Sequence, residues 1–203
     1  MSSLVVLRHG RTAANAAGLL LGRMDVELDP TGRRQAAALA AAVRDTSGPI
    51  DAVVSSPLLR TRQTADAFGL PVVVDERFVE VDYGVWDGVP LNDVDAGMWA
   101  AWRADPHFRP EGGESLGEVE RRVARACREW ADRASGSSGS SGTVVIVTHV
   151  SPLKAAVSWA LGTDVVWQTR VDPASITRID LHDGRPTLRS FNETGHLSGL
   201  PPD

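Results

Sequence analysis

The chain has 203 residues, of which 42% are hydrophobic and 23% charged, with a formal net charge of −5. This composition is typical of a soluble globular protein, and the length fits one domain over residues 1–203. The acidic charge argues against nucleic-acid binding, and no apolar run resembles a signal peptide or a membrane span, so we expect a cytoplasmic protein without a membrane partner.

The first half of the chain alternates short apolar runs with helical patterns. Residues 4–7 and 51–55 are predicted buried strands, and residues 71–74 a shorter strand. Asp29 and Pro30 mark a helix start, as N-cap and first helical residue. Another helix is predicted to begin at Pro57.

The second half begins with a loosely patterned stretch, about 84–114, which we interpret as a cap-like insertion with a helix near 91–103. Ser115 and Glu118 form a capping box before a long amphipathic helix, and residues 135–142 are a Ser/Gly-rich loop. A strand at 143–148 precedes a helix at 152–161. Strands at 176–181 and 186–191 flank Asp183 and Gly184 as a hairpin, and the tail from residue 199 is expected to fray.

This order of elements predicts an α/β three-layer sandwich. Strands that alternate with helices form a mostly parallel sheet with helices on both faces. The closing hairpin adds an antiparallel edge.

Polar side chains follow three of the predicted strands. The first strand ends on Arg8 and His9, the second leads to Arg60 in the next helix, and a third ends on His149. Ligands of open α/β sheets bind beyond these carboxyl ends, where helix N-termini also favour an anion. Arginine forks suit phosphate oxygens, and a neutral histidine can act as a nucleophile. The pattern therefore predicts a phosphate site.

Five motifs carry a family resemblance: LRHGRT, SSPLLRTRQTA, EVDYGVWDG, GGES and VTH, in this order over about residues 4–160. Together they resemble the histidine phosphatase superfamily, the phosphoglycerate-mutase-like proteins. The resemblance implies that His9 is the nucleophile that becomes phosphorylated. It also implies that Arg8, Arg60 and His149 bind the phosphoryl group.

The resemblance assigns further roles. Glu80 is implied as the proton donor, although Asp82 and Asp87 are neighbouring acids that compete for this role. Thr12 and Asn15 lie where the family adds polar phosphate contacts.

Two positions depart from the family pattern. Arg11 stands where the family usually has Glu or Gln, and we expect it to make the site more basic and to help select the substrate. Val150 stands where glycine commonly follows the second histidine, which puts the local backbone geometry in question.

Other residues receive structural interpretations. Cys127 and Arg133 match the spacing of a cysteine-phosphatase motif, but they fall within the amphipathic helix, so we reject that chemistry. Trp99 and Trp102, at helical spacing, are predicted core residues. The histidines outside the motifs are interpreted as solvated or structural: His107, His182 and His196.

The motifs favour a phosphomonoester hydrolase that acts on a small phosphorylated metabolite through a phosphohistidine. A phosphoglycerate mutase and a non-catalytic phospho-ligand binder are the alternatives. The short insertion and loose tail favour the hydrolase, because a mutase must keep water from the phosphohistidine. No metal ion or cofactor is expected, since no metal-ligand spacing accompanies His9 or His149. The expected partner is a small-molecule phosphate ester, and a homodimer is left open.

Overall fold

A six-stranded sheet forms the centre of the protein in the computed structural model, which describes residues 2–135, 142–164, 168–183 and 185–200. The strands are β1 Ser2–Arg8, β2 Ala52–Ser55, β3 Val72–Val74, β4 Thr143–Thr148, β5 Ile176–His182 and β6 Arg185–Glu193. Their order across the sheet is β3-β2-β4-β1-β5-β6. Strands β1 to β4 pair in parallel, and β5 and β6 pair antiparallel. The predicted parallel sheet with an antiparallel edge is confirmed.

Helices cover both faces of this sheet. They are α1 Ala13–Ala16, α2 Pro30–Ser47, α3 Leu59–Asp66, α4 Ala96–Ala104, α5 Leu116–Ser135 and α6 Val150–Leu161. Short 3-10 turns lie at Glu76–Phe78, Gly84–Trp86 and Gly195–Leu197. Helices α2 and α3 pack on one face, and α5 and α6 pack on the other. The three-layer sandwich is therefore confirmed.

Strand β1 shows why the apolar run at its centre is continuous. Leu4 and Val6 belong to the core cluster under α5 and α6, whereas Val5 and Leu7 belong to the cluster under α2 and α3. Successive side chains of a strand point to opposite faces, so a strand covered on both faces must be apolar at every position. The same strand delivers its last residue, Arg8, to the carboxyl edge of the sheet.

Two helix starts follow their sequence signals. The Asp29 side chain accepts a hydrogen bond from the Gly32 N–H at 2.7 Å, and Pro30 is the first residue of α2. Glu118 accepts from the Ser115 N–H at 2.9 Å, which is one half of the predicted capping box. These caps are local, because each needs only residues three positions apart.

Three helix starts differ from the sequence-based expectation. Helix α3 begins at Leu59 rather than Pro57, and α4 begins at Ala96 after a cap by Asp95. Helix α6 begins at Val150 rather than 152, because Pro152 is the third helical residue, where no intrahelical N–H bond is needed. Predictions for residues 136–141, 184 and 201–203 lie outside the described residues. Within the described ranges, no helix combines the length and apolarity needed to cross a bilayer.

Candidate active site

His9 and His149 lie side by side at the carboxyl edge of the sheet. Arg8 pairs with Thr148 in the parallel register of β1 and β4, so the next residue of each strand occupies the same level. The two imidazole rings make an edge contact, with ring centroids 5.1 Å apart. Both side chains are buried. Adjacent parallel strands therefore bring together two histidines that are 140 residues apart in the chain.

The hydrogen bond of His9 defines its reactive nitrogen. Nδ1 lies 2.7 Å from the Gly10 carbonyl oxygen, which can only accept, so Nδ1 carries the proton. Nε2 is therefore unprotonated in the neutral ring. Burial, followed by the positive charges of Arg60 and Arg8, holds the pKa of His9 well below its usual value. At neutral pH the ring is an uncharged nucleophile.

Gly10 is required for packing. A side chain at this position would collide with the backbone carbonyl of Gly32 in α2. The Gly10 N–H also donates to the Thr64 hydroxyl at 3.1 Å. These contacts hold the backbone that follows His9 against helices α2 and α3.

Arg60 and His149 form a buried pair next to His9. The Arg60 Nε donates to His149 Nδ1 at 3.2 Å, so His149 Nε2 carries the proton that is donated to Ser56 Oγ at 2.8 Å. Burial is the main cause that holds the pKa of His149 well below its usual value and lowers the pKa of Arg60 to about 10. Arg60 thus remains a cation at neutral pH, beside two neutral imidazoles.

Arg8 places a second cation at the site. Its Nη1 donates to the Val171 carbonyl at 2.6 Å, whereas its buried Nε has no hydrogen-bond partner among the described residues. Burial lowers the pKa of Arg8 to about 10, so it also stays charged. A buried N–H of a cation without a partner suits an anionic ligand.

Glu80 is buried at the N-terminus of α6. Its carboxylate accepts from the N–H groups of Val150 and Ser151, each at 3.1 Å, and from Val81 at 2.8 Å. Burial raises the pKa of Glu80 above its usual range, despite these donors. Val150 adopts an ordinary helical conformation here, so the site does not require the glycine that the family commonly has at this position.

The other two acids near Glu80 are occupied elsewhere. Asp82 accepts from the Gly84 N–H at 2.9 Å. Asp87 accepts from backbone N–H groups of residues 22–24. Neither lines the cavity beside His9, whereas Glu80 does. This placement supports Glu80 as the proton donor.

A cavity of about 430 Å³ opens beside His9. We call four of its polar lining residues the polar wall: Arg8, His9, Asn15 and Glu80. We call four of its apolar lining residues the apolar wall: Leu20, Leu91, Trp99 and Leu116. Arg60 and His149 are not among the described residues that line this cavity, but His149 contacts the His9 ring and Arg60 donates to His149. The interpretation of residues 84–114 as an insertion stays a prediction, and Leu91 and Trp99 come from this stretch.

Arg11, Thr12 and Asn15 have different positions. Asn15 lines the cavity and forms a reciprocal cap of α1 with Thr12. Thr12 is fully buried in that cap. Arg11 donates from Nε to Asp29 at 2.7 Å. Thr12 and Arg11 are not among the described residues that line the cavity, and the phosphate and substrate contacts expected of them stay predictions.

Sequence reasoning did not place Trp99 and Lys154 in the cavity. Trp99 was expected in the core, but it lines the cavity while Trp102 is buried beside it. Lys154 of α6 also lines the cavity, and its side chain is largely buried, which lowers its pKa. Its spacing of four residues from Val150 places both on one helix face and is a signal that could have identified it.

The remaining candidates have no place at this site. Cys127 is buried in α5, and burial raises the pKa of its thiol to about 12, which opposes the cysteine chemistry that its spacing with Arg133 suggested. His107 and His182 are exposed. The described ranges contain no group of three or more His, Cys, Asp and Glu side chains placed to hold a metal ion.

Comparisons with known proteins agree with this geometry. The model of the histidine phosphatase superfamily (branch 1) matches residues 4–194. A bifunctional protein of Mycobacterium tuberculosis is 38% identical over 204 residues, which cover 96% of this chain and 54% of that protein. The chain thus spans about half the length of the first curated relatives that it matches.

Two further relatives are similar over most of both chains. Phosphoserine phosphatase 1 of Hydrogenobacter thermophilus is 32% identical over 207 residues, which cover 97% of this chain and 95% of that protein. The solved structure of a mycobacterial glucosyl-3-phosphoglycerate phosphatase with VO3 has a TM-score of 0.84 at 32% identity. The match covers 96% of this chain and all of that one.

Proposed function

This chain belongs to the histidine phosphatase superfamily, and from that premise we propose that it hydrolyses the phosphate monoester of a small phosphorylated metabolite. The observation that carries the proposal is His9, whose neutral ring has an unprotonated Nε2 and lies on a cavity wall beside the cation Arg8. The phosphatases to which the chain is similar support the same reaction class.

In the first proposed step, His9 Nε2 attacks phosphorus and the ester P–O bond breaks. Glu80, whose raised pKa favours the protonated form, gives its proton to the leaving oxygen. Arg8 and Arg60 stabilise the charge on the equatorial phosphoryl oxygens. The Gly10 carbonyl, bonded to Nδ1–H, stabilises the phosphorylated ring.

In the second proposed step, water attacks the phosphohistidine. The Glu80 carboxylate takes a proton from this water as the N–P bond breaks, and inorganic phosphate leaves. His9 returns to its neutral form and Glu80 to its protonated form. This scheme uses no metal ion or cofactor. A reducing, cytoplasmic location is part of the proposal and suits the free buried thiol of Cys127.

We infer that the leaving group lies between the apolar wall and Lys154. Lys154 is largely buried, so its ammonium would bind a carboxylate of the leaving group more strongly than a solvated lysine would. Phosphoserine and glucosyl-3-phosphoglycerate, the substrates named for the relatives, both contain a carboxylate. Trp99 and Leu20 would contact the carbon atoms of such a substrate.

The test is to assay the purified protein with phosphoserine, 3-phosphoglycerate and p-nitrophenyl phosphate. We expect release of inorganic phosphate and an acid-labile phosphoprotein. Isomerisation of 3-phosphoglycerate without phosphate release would instead identify a mutase. Stoichiometric binding of these esters without turnover would identify a phospho-ligand binder.

A further inference from the structure

We infer that Asp87 is a positioning residue that holds the segment of residues 22–25 in the conformation that orients Arg60 toward the phosphoryl group. This segment, the 22–25 loop, joins the Asp87 carboxylate to the Arg60 guanidinium. The inference rests on the proposed function, because that function gives Arg60 its role.

The Asp87 carboxylate binds three successive backbone N–H groups of the 22–25 loop. Its Oδ1 accepts from Gly22 at 2.7 Å, and its Oδ2 accepts from Arg23 and Met24, each at 2.9 Å. Residues 23–25 are exposed, so burial does little to hold them in place. A carboxylate that takes several backbone donors fixes the orientation of the peptide units that carry them. Asp87 therefore restrains the orientation of all three of these peptide units.

The other side of the same peptide segment binds Arg60. The Gly22 carbonyl accepts from Nη2 at 2.8 Å, and the Met24 carbonyl accepts from Nη1 at 2.7 Å. With Nε bonded to His149, these bonds fix the plane of the guanidinium. Five N–H groups form the guanidinium fork, so one on each Nη remains for a phosphoryl oxygen. A shift of the loop would rotate this fork away from the phosphoryl group.

The loop also fixes the start of the helix that carries Arg60. Asp25 accepts from the Leu59 N–H at 2.5 Å, while the N-cap residue Leu58 makes no side-chain cap of its own. The cap of α3 thus comes from the 22–25 loop, one residue before Arg60. Backbone and side chain of Arg60 therefore depend on the same segment.

Glu80 depends much less on the loop. Arg23 does bind the Glu80 carbonyl at 2.8 Å, but the carboxylate itself is held by α6 and by Val81. Loss of Asp87 should therefore act mainly through Arg60, and a double-mutant cycle can test this directly.

The experiment compares Asp87→Ala, Arg60→Ala and the double variant, with Asp51→Ala as matched control. Asp51 also accepts a backbone N–H, that of Thr143 at 2.6 Å, but at the opposite edge of the sheet. We expect Asp87→Ala to lower kcat/KM for p-nitrophenyl phosphate about 10- to 100-fold and to weaken vanadate inhibition similarly. When Arg60→Ala is already present, Asp87→Ala should change kcat/KM and vanadate inhibition by less than about 2-fold each. Losses that multiply in the double variant would overturn the inference.

A second measurement does not require activity. Hydrogen exchange of the Arg60 Nε–H, assigned by its loss in Arg60→Lys, should be slow in the wild type and at least about 10-fold faster in Asp87→Ala. The Asp51→Ala rate should match the wild type. Unchanged exchange in Asp87→Ala would overturn the inference, whereas accelerated exchange in a protein without phosphatase activity would contradict only the proposed function. If Asp87→Ala does not fold, Asp87→Asn, which keeps one carboxamide oxygen, replaces it.

Discussion

On the polar wall of the cavity, each functional side chain is tied to the backbone, whereas the apolar wall consists of side chains packed on other side chains. His9 is bonded to the Gly10 carbonyl, and Glu80 to the first N–H groups of α6. Trp99, by contrast, stacks on Trp102 with ring centroids 5.6 Å apart. Hydrogen bonds to the backbone hold reacting groups in precise positions, while side-chain packing tolerates the substitution of one apolar residue by another. We therefore propose that the polar wall carries the chemistry and the apolar wall carries the substrate preference.

Replacement of the nucleophile should have the largest effect. We expect His9→Ala to lower kcat at least about 10⁴-fold, because the phosphohistidine cannot form. Phosphate release and trapping of the phosphoprotein measure this loss. His107→Ala, which removes an exposed histidine, should stay within about 2-fold of the wild type. Normal activity in His9→Ala would show that the polar wall does not carry out the reaction.

Loss of the proton donor should have the next largest effect. We expect Glu80→Gln to lower kcat for phosphoserine about 10²- to 10⁴-fold. The loss should be smaller for p-nitrophenyl phosphate, since nitrophenolate leaves without a proton. Asp82→Asn, in the same motif, is the control and should have little effect on either substrate. Equal losses with both substrates would contradict proton donation by Glu80.

The pH dependence of activity should also reveal the titration of Glu80. The protonated form of Glu80 is the active one, and burial raises its pKa, so activity should fall as the pH rises through that pKa. The pKa of His9 is lowered, so its neutral form should persist well below pH 6.5. Rates measured across pH should lose the alkaline limb in Glu80→Gln. A limb that survives in this variant would show that another group titrates.

A substitution at Lys154 tests substrate preference and leaves the nucleophile in place. We expect Lys154→Met to raise KM for phosphoserine about 10-fold or more, as for loss of a charge-assisted hydrogen bond, and to leave p-nitrophenyl phosphate almost unchanged. Steady-state kinetics on both esters measure this difference. Arg62→Met, which removes an exposed cation of α3, is the control. Equal effects on both esters would place Lys154 with the chemistry.

The smallest effect on activity is expected on the apolar wall. Trp99→Ala should change KM a few-fold, by an amount that differs from one ester to another. It should leave vanadate inhibition intact. Trp102→Ala should instead lower the free energy of unfolding by about 3–5 kcal/mol, because that ring is buried in the core. Kinetics and thermal denaturation of the two variants separate these outcomes. Weaker vanadate inhibition in Trp99→Ala would show that the apolar wall also contributes to binding of the phosphoryl group.

Much of the fold could be predicted because its signals are local. The apolar run of β1 and the cap at Asp29 each depend on residues close in the chain. Helix starts at Leu59 and Ala96 were missed, because their positions depend on caps or packing that the flanking proline and apolar pattern did not show. The strand-end pattern likewise predicted His9 at the site, since polar residues after parallel strands meet at one edge. Glu80 was implied by the family resemblance.

The sequence by itself determined the alternation of strands and helices, the family and the polar residues at the strand ends. Each of these is signalled by short stretches of neighbouring residues. Tertiary structure alone decided that Arg11 pairs with Asp29, that Trp99 lines the cavity and that Asp87 binds the 22–25 loop. Contacts of this kind join segments far apart in the chain. No local pattern records which distant backbone group will meet a given side chain.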